Sequence, residues 1–553
     1  MTGEEILEML KGLESDRSNL DSRWQDCANY GMPQNSQITH KRAPGQKPPI
    51  DLFDTTLEES NIQLASGLYS YMFPTDGRAF VLEVDDTELN EKEDIKQWCE
   101  KATKVIHKYL VSSNFRQSFF EFLKSLGCFG TACFYVSKGK KKPIVFINFH
   151  MAGVYIMSNS DGDIDTVLRT FEYTARQAVQ EFGYDNLSED IKTAYDNPEK
   201  RKKKFRFVHA VMPREDYDDS KDDSINMPWA SIYVDRKTKE KIKDKGTGLP
   251  ESGYPEMPYQ VDRFDKDSQE DYGRSPMMKK LPDGKMANTM AKTRIKGWEK
   301  MVDPPVILPD DGSVWPLATK PGGTIYKRAG SEGPEYWEFK GNLATMEEAI
   351  LTTQNTIKKG FFLDMFDPLI DRQNMTATEV MARIDQMMRF LTPIIGRLQS
   401  ELFNPMVNRI IGVLSRQNKK GGKTLLPEMP TELSEADYSV MYLGRLALAL
   451  RTIETEGLQK TLAQWSPLAE ANIFDWLDNI AVDDAFRDSA RNNGVPATWL
   501  KDINERDKER MDKAKKENAR ALMEQMPGIA GAAKDLSKAP EDGSITKGMI
   551  DAA

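Results

Sequence analysis

The sequence predicts an α+β protein in which helices predominate. Three features support this prediction: an N-terminal region with helical spacing of apolar residues, a central block in which apolar residues alternate, and a long apolar stripe around residue 400. Hydrophobic residues make up 39% of the 553 residues and charged residues 29%, which is enough apolar material to build buried cores. The length alone suggests about three or four structural units.

The N-terminal region is predicted to be mainly helical. Apolar residues follow a helical spacing through residues 1–73, and Pro74 ends the pattern. The stretch RAFVLEV at 78–84 is typical of a strand. Helical patterns then follow at about 91–112 and 115–126.

From residue 131 to residue 173 the apolar period changes to two. β-Branched and aromatic runs are separated there by Gly, Pro, Asn and Asp, which is typical of an antiparallel sheet. Two short helices, two strands and a polar loop are predicted to follow, at about 174–182, 187–196, 205–212, 229–235 and 237–258.

Two helices joined by a compact segment are predicted next. Ser275 and Pro276 suit the N-cap and the first turn of a helix, and residues 273–301 carry eight Lys or Arg against two acids. Residues 302–339 are too rich in Pro and Gly to be helical, and we expect them to form a small sheet of their own. A second helix at 344–362 completes a protruding hairpin with a cap.

A long apolar stripe follows the hairpin. Thr376 and Glu379 form a capping box that starts a helix. Pro393 either kinks one continuous helix or separates two consecutive core helices. In both cases we expect neighbouring copies of the chain to cover the stripe. It runs in steps of three or four residues through Val380, Ile384, Met387, Leu391, Ile394, Leu398 and Leu402.

The C-terminal part is predicted to be helical and then mobile. Residues 442–451 resume a helical pattern, and the chain from about 451 onward is mostly helical and increasingly charged. We expect the final segment, which contains Gly, Ala and Pro, to be mobile.

Composition and charge argue against several classes of protein. No run approaches the roughly 18 apolar residues of a membrane-spanning helix, and the acidic start MTGEE differs from a secretory signal. The few cysteines, Cys27, Cys99, Cys128 and Cys133, suit a reducing compartment, so we expect folding in a cytoplasm. The net charge of −10, from 76 Lys and Arg against 86 Asp and Glu, disfavours tight binding of nucleic acid over the whole surface.

Two patterns that suggest an enzyme do not meet the requirements of one. The sequence GGKT at 421–424 lacks the earlier glycine of a phosphate-binding loop, because that position is Gln417. Cys128 and Cys133 lack the paired Cys and His of a zinc site, and an apolar filling role is the better interpretation of both. We therefore expect no enzyme activity and no cofactor.

A third pattern has the spacing of a calcium loop. Asp161, Asp163, Asp165 and Glu172 stand at its positions one, three, five and twelve, but Thr166 occupies the position where the sharp turn requires Gly. The surrounding residues also alternate as a strand does, so a turn between strands is the better interpretation and no metal is expected.

Several stretches in order resemble one family of virus proteins. The motifs are FDTTLEESNIQLASGLYSYMFP, DIDTVLRTFEYTARQAVQEFG, ESGYPEMPYQVDRF with YGRSPMMKKLPDGK, and MTATEVMARI continuing to LTPIIGRLQSELFNPMVNRI. Together they resemble the portal, or head-to-tail connector, protein of short-tailed, T7-like bacteriophages, over most of the chain and most weakly after about residue 480.

The resemblance implies a portal fold with wing, stem, clip and crown, in which identical subunits, typically twelve, form a ring around a central channel. It divides the chain into a wing (1–265), a first stem helix (266–300), a clip (301–343), a second stem helix (344–363), a tunnel loop (364–375), a long kinked helix with the remaining wing (376–450), crown or barrel helices (451–525) and a mobile C-terminal tail (526–553).

The resemblance also implies partners. Double-stranded DNA would pass through the channel at one capsid vertex, during genome packaging and again during ejection. The terminase large subunit would dock first and tail adaptor or tail proteins afterwards, with major capsid and scaffolding proteins as further neighbours. The ring would assemble in the bacterial host cytoplasm and remain in the virion, with no membrane involved.

Three groups of residues are expected to act at these interfaces. The tunnel loop would place Asp371, Arg372, Gln373 and Asn374 beside DNA. Aromatic enrichment at interfaces suggests Trp315, Tyr326 and Trp337 for contacts of the clip.

The third group is the basic face of the first stem helix. It would touch phosphate transiently or meet an acidic neighbour or the capsid; the alternative is a solvated face with ion pairs between subunits. Its residues are Lys285, Lys292, Arg294, Lys296 and Lys300.

Two other functions stay open from the sequence. One is another virion structural protein, such as an internal core or tail component. The other is a DNA-translocating ATPase, which the absence of a phosphate-binding loop at Gln417 disfavours. The predicted hairpin at 274–362 favours the portal interpretation.

Overall fold

The protein divides into two units, each with its own internal contacts. The first comprises Met1–Asp85 and Lys101–Glu454, and the second comprises Asp86–Glu100 and Thr455–Ala553. The residues described by the computed structural model are 1–43, 45–73, 79–84, 92–139, 141–218, 220–221, 223–304, 306–307, 335–336, 341–366, 389–417, 424–430, 438–442, 461, 481–492, 495 and 506–517.

Helices form where the apolar spacing predicts them. They are α1 Gly3–Gly31, α2 Thr56–Met72, α3 Glu93–Ser112, α4 Phe115–Phe129, α5 Ala175–Phe182, α6 Glu189–Asp196, α7 Pro276–Val302, α8 Leu343–Gly360, α9 Leu363–Phe366, α10 389–415, α11 Val482–Asn492 and α12 506–517. The prediction of helix throughout 1–73 is wrong between α1 and α2, where Pro33, Pro48 and Pro49 lack the N–H that a helix ladder needs.

The strands pair antiparallel throughout the described residues, as the alternating pattern predicts. They are β1 Phe80–Val84, β2 Thr131–Ser137, β3 Val145–Phe149, β4 Val154–Ser158, β5 Ile164–Thr174, β6 Lys204–Pro213, β7 Trp229–Asp235, β8 Lys241–Ile242, β9 Ser252–Tyr254, β10 Tyr259–Arg263, β11 Val306–Ile307, β12 Glu335–Tyr336 and β13 Tyr438–Tyr442.

Two strand assignments differ from the prediction. The expected polar loop at 237–258 contains β8 and β9, which both pair with β7. The helix expected at 442–451 is wrong at its first residue, because Tyr442 belongs to strand β13. This strand pairs with β1, from Phe80 opposite Tyr442 to Val84 opposite Tyr438. Residues 443–450 lie outside the described part of the chain.

The largest sheet among the described residues has six strands and is covered by helices on both faces. Its order is β4-β5-β6-β7-β8, with β9 beside β7. Ile6 and Leu10 of α1 pack on one face, against Val208 and its neighbours on β6 and β7. On the other face α5 and α6 pack against Phe205 and Phe207. The switch from Phe207 to Val208 reflects the alternation of side chains along a strand.

The second core is built from phenylalanines around the sheet β10-β2-β3. Phe122 of α4 stacks on Phe134 of β2 with 4.4 Å between ring centroids. Phe115 and Phe119 stack on each other at 5.3 Å, and Phe403 of α10 meets Phe119 at 5.4 Å. These contacts join α4, β2 and α10 into one apolar interior.

Within α10 the structure corrects one expectation about the apolar stripe. Leu391, Leu398 and Leu402 are buried within the chain itself, so neighbouring copies are not needed to cover this part of the stripe. The capping box and the stripe residues Val380, Ile384 and Met387 lie outside the described residues.

The helix α10 continues through both of its prolines. Residues 389–397 are helical across Pro393, and the helix then widens into a π-helical segment, Leu398–Phe403. There the amide of Asn404 donates to the carbonyl of Gln399, five residues back. Pro405 follows and has no N–H to continue the ladder. Within the described residues the helix therefore does not break at Pro393, while the part predicted at 376–388 lies outside them.

An ion pair fastens the π-helical segment to the second sheet. Arg263 at the end of β10 is buried, and its guanidinium donates to both oxygens of the Glu401 carboxylate at 3.0 and 2.9 Å. The neighbouring Asp262 is also buried, and burial together with the nearby Glu401 charge raises the pKa of its carboxyl well above the usual range.

Arg17 of α1 is a buried cation that holds a distant turn. Its guanidinium donates to the carbonyls of Met151 and Ala152, each at 3.0 Å, and to that of Val154. It also forms an ion pair with Asp21 at 2.8 Å and lies 3.8 Å from the centroid of the Tyr155 ring. One side chain therefore satisfies three carbonyls about 135 positions away in the sequence.

We predict that Arg17→Met destabilises the protein by about 3 kcal/mol, because the half-buried Asp21 carboxylate loses its cation and three carbonyls each lose one hydrogen-bond donor. Urea unfolding followed by circular dichroism measures this change. Lys11→Met on the exposed side of α1 is the control and should change stability by less than about 0.5 kcal/mol. Equal stability of the two variants would contradict the role assigned to Arg17.

Candidate functional site: the helical hairpin and its root

The hairpin consists of α7 and α8, and its first helix starts at a fixed point. The Ser275 hydroxyl accepts from the amide of Met278 and donates to the carbonyl of Cys128, both at 2.9 Å. It thus caps α7 and ties the helix to the end of α4. Pro276 occupies the first turn, as predicted.

Two glycines in direct contact form the root of the hairpin, which we define as 128–131 together with 273–275. A Cβ atom on Gly130 would lie 2.4 Å from the carbonyl oxygen of Gly273, and a Cβ on Gly273 would lie 2.2 Å from that of Gly130. Gly130 also has φ +76°, in the left-handed region that favours glycine. No side chain fits at either position without moving backbone.

Hydrogen bonds surround the two glycines. The amide of Gly273 donates to the Thr131 hydroxyl at 2.9 Å, and the amide of Phe264 donates to the carbonyl of Gly130 at 2.9 Å. The indole of Trp24 donates to the carbonyl of Phe129 at 2.8 Å. The root therefore joins α1, α4, β2 and the start of α7.

The first half of α7 packs closely on the body of the protein. A Cβ on Gly284 would lie 2.0 Å from Leu57 of α2, so glycine permits this contact. Pro282 cannot donate to the carbonyl of Met278, and Arg23 of α1 donates to that carbonyl instead at 3.4 Å. A proline inside the helix is therefore tolerated without an orphaned carbonyl.

Polar contacts connect the two helices of the hairpin to one loop. Asn288 of α7 accepts from the amides of Phe53 and Asp54 at 2.6 and 3.2 Å. Gln354 of α8 donates to the Asp54 carboxylate at 2.7 Å. The loop before α2 thus holds both helices at the same level.

Beyond Asn288 the hairpin becomes increasingly exposed. On α8 the buried residues, Ile350, Thr353 and Ile357, occupy a single side. Several large apolar side chains are exposed, with Val302 at 85% and Leu351 at 58%. The others beyond Asn288 are Trp298 and Met301, and Met286 is exposed just before it.

The five predicted basic residues do not share one environment. Lys285 forms an ion pair with Asp26 of α1 at 2.7 Å. Arg294 is half-buried, lies 4.8 Å from the Trp298 ring centroid and, at about 100° per residue, sits about 180° around the helix from Lys285. The expectation of one basic face is therefore wrong for Arg294.

The remaining three lysines are on the exposed side. Lys292, Lys296 and Lys300 follow Lys285 at intervals of seven, four and four residues, which places them in one stripe. Lys292 lies 5.4 Å from the Phe53 ring centroid. Their contact with phosphate or with a neighbouring copy stays a prediction.

The other predicted interface residues lie outside the described part of the chain. This holds for Asp371, Arg372, Gln373 and Asn374 of the expected tunnel loop, and for Trp315, Tyr326 and Trp337 of the expected clip. Between the two hairpin helices the structure describes β11 and β12, which pair with Val306 opposite Tyr336. This pairing agrees with the predicted small sheet.

Gln417 and Glu172, from the two patterns that resemble a phosphate-binding loop and a calcium loop, form structural contacts. Gln417 donates to the carbonyls of Pro143 and Val413 at 3.0 and 2.9 Å. Glu172 lies on β5 and binds Lys41 and Arg206. Among the described residues no group of His, Cys, Asp and Glu has a metal-binding arrangement.

The cysteines are buried and free of disulfides. Burial raises the pKa of the Cys27 thiol to about 12, and burial also raises the pKa of the Cys128 and Cys133 thiols well above the usual range. Such thiols stay protonated at neutral pH and are poor nucleophiles. In the described helices, no segment combines the length and the apolar character needed to cross a bilayer.

Comparison with known proteins gives concordant matches. The family model for the bacteriophage head to tail connecting protein matches residues 3–500. The portal protein of Salmonella phage epsilon15 is 27% identical over 549 residues, covering 97% of this chain and 95% of that protein. The probable portal protein of Bordetella phage BPP-1 is 27% identical over 464 residues, covering 83% and 81% respectively.

We predict that Gly130→Ala and Gly273→Ala each destabilise the protein by about 2 kcal/mol or more, because a methyl group meets backbone in both cases. Thermal and urea unfolding measure the loss. Gly12→Ala is the control, since nothing lies within 4 Å of its Cβ position, and it should stabilise α1 by about 0.5–1 kcal/mol. If all three alanines stabilise equally, the root is not the constraint described.

Proposed function

The chain belongs to the bacteriophage head to tail connecting protein family, and from this we propose a ring. In the proposed ring, twelve copies of the chain surround a channel for double-stranded DNA. As members of this family do, the chain acts as a structural connector between head and tail of the virion. The proposal concerns the finer roles: DNA passes through the ring during packaging and ejection, the terminase large subunit docks on it first, and tail proteins dock afterwards.

The exposed apolar side chains of the hairpin support this proposal most directly. Leu351 on α8 and Met286, Trp298, Met301 and Val302 on α7 are each more than 40% exposed. Apolar residues that project from both helices of a rooted hairpin are suited to contact an identical hairpin on the next copy. In a ring every hairpin has such a neighbour on each side.

The charges on the exposed half of the hairpin favour contacts between copies over a grip on phosphate. Residues 289–302 carry Lys292, Arg294, Lys296 and Lys300 with one acid, Glu299, and the start of α8 adds Glu347 and Glu348. Four cations and three carboxylates nearly cancel. A mixed surface supports ion pairs between adjacent copies and binds a polyanion weakly, which suits DNA that must slide.

The remaining assignments follow from the same proposal. The segment between α7 and α8 is the clip, which meets the terminase and then the tail adaptor, and 364–375 is the tunnel loop. The wing faces the major capsid and scaffolding proteins, and assembly takes place in the bacterial host cytoplasm. The chain itself catalyses no reaction in this proposal, so ATP hydrolysis by purified protein would favour a DNA translocase instead.

We predict that Leu351→Glu reduces ring formation without lowering the unfolding temperature of the single chain. The charge replaces an apolar side chain that is 58% exposed, where a change of polarity costs the folded chain little. Native mass spectrometry and negative-stain images with rotational averaging count the subunits. Ile225→Glu is the control, because Ile225 is similarly exposed (43%) but lies in a loop outside the hairpin. A wild-type chain that stays monomeric at every concentration would refute the ring.

A charge exchange separates the two interpretations of the basic stripe. Lys296→Glu with Lys300→Glu should weaken the ring at low salt, and adding Glu347→Lys with Glu348→Lys should restore it if the stripe pairs with a neighbouring copy. Ring stability as a function of salt is the measurement. If rings of the double Glu variant stay fully stable but retain less DNA, the lysines contact phosphate instead.

A further inference from the structure

A cleft on the body of the protein carries positive charge that the hairpin and the ring do not use. It lies between the segment after α1, the turn at Met151–Gly153 and strands β5 and β6. Its volume is about 560 Å³, within the range of pockets that hold drug-sized ligands. Apolar groups, including Ile38, Tyr155 and Phe171, line it together with the charges.

Cations outnumber acids in this cleft. Lys41, Arg42, Lys204, Arg206 and Arg236 contribute five positive charges, and Glu14 and Glu172 contribute two negative ones, which leaves three in excess. His150 also lines the cleft, and burial lowers the pKa of its imidazole, so it adds no charge at neutral pH. A pocket with this excess attracts anions.

The two acids already show how the cleft holds carboxylates. Glu172 accepts from both Lys41 and Arg206, the latter at 3.2 Å. Arg236 donates to the two oxygens of Glu14 at 3.0 and 3.2 Å. Each carboxylate is thus bound by one or two cations in charge-assisted hydrogen bonds.

Two cations keep capacity for a further anion. Arg42 donates to the carbonyl of Pro33 and to the Ser36 hydroxyl, each at 2.9 Å, and to the carbonyl of Gln46, while its Nε is buried without a partner. One N–H of its Nη2 is left for an anion. Lys204 is exposed on β6. Within the described residues, neither side chain forms an ion pair with a carboxylate.

We propose that this cleft binds an acidic peptide segment of a partner protein, with carboxylates seated on Arg42, Lys204 and Arg206. The apolar side chains of the lining accommodate the rest of a peptide. Glu14 and Glu172 divide the positive surface, which suits the spaced carboxylates of a peptide better than a phosphodiester chain with a charge at every unit. The proposal goes beyond the ring and does not depend on its closure.

Fluorescence anisotropy with the full-length protein tests this proposal. The probes are a labelled peptide of six residues with Glu at alternate positions and the same peptide with Gln in place of Glu. We expect the Glu peptide to bind at least about tenfold more tightly, with an affinity that falls as salt rises. Equal affinity for the two peptides, or no binding of the Glu peptide, would overturn the proposal.

Competition experiments address the other anions. Inorganic phosphate and a single-stranded oligonucleotide, each added at a charge concentration equal to that of the peptide, should leave the Glu peptide bound. Displacement by the oligonucleotide at that concentration would assign the cleft to nucleic acid, and displacement by phosphate would assign it to small anions. Either result refutes a peptide site.

Charge-reversal variants locate the site. The double variant Lys204→Glu with Arg206→Glu should lower the affinity for the Glu peptide by at least about tenfold. The matched control Lys243→Glu, which changes an exposed lysine outside the cleft, should lower it by no more than about twofold. Lys204→Glu alone leaves the Arg206 and Glu172 pair in place and should give an intermediate loss. A peptide with Lys at the same positions should bind the double variant more tightly than the wild type, which a misfolded variant cannot do. Equal losses in variant and control would refute the site.

Discussion

The contact between Gly130 and Gly273 is the constraint on which the placement of the hairpin depends. Two segments 143 positions apart approach so closely that each α-carbon faces the carbonyl oxygen of the other. Because neither residue has a side chain, α7 can start directly on the end of α4, where Ser275 caps it and binds Cys128. A helix that protrudes from a body needs such a fixed origin, since Trp298, Met301 and Val302 at its far end are exposed.

Buried arginines fix distant segments to each other in the body of the protein, as the two glycines do at the root. Arg17 joins α1 to the turn before β4, and Arg263 joins β10 to the π-helical part of α10. Each guanidinium has several donors in a planar arrangement, so one side chain satisfies groups from a distant segment. Removing either arginine takes one hydrogen bond from each group that it binds and leaves a carboxylate without its cation, which makes these contacts sensitive to substitution.

Apolar periodicity predicted most helices and strands, because period and burial are linked locally. The cap at Ser275 and the proline after it could also be predicted from the sequence, because both act within one turn of a helix. The Gly130 and Gly273 contact was not predicted, although Gly130 is a recognisable helix end, because nothing local identifies its distant partner. The Arg263 and Glu401 pair was missed for the same reason.

Coverage of the apolar stripe on α10 was misjudged for a related reason. A stripe in the sequence indicates that something covers it, and does not indicate whether the cover is the same chain or another copy. Phe403 and Leu402 turn out to pack inside the chain. Likewise, Arg294 was grouped with the lysines by composition, whereas its position around the helix separates it from Lys285.

The rooted hairpin has a mechanical consequence. The 27 residues of α7 span about 40 Å, and the glycine contact leaves no slack at the near end. A push along the axis of α7 would therefore be transmitted to Cys128–Thr131, where α4, β2 and α1 converge, and to the contacts of the first half of α7 with α1 and α2. A force applied by a partner at the outer end of α7 would therefore reach the phenylalanine core through the root, because α4 belongs to both.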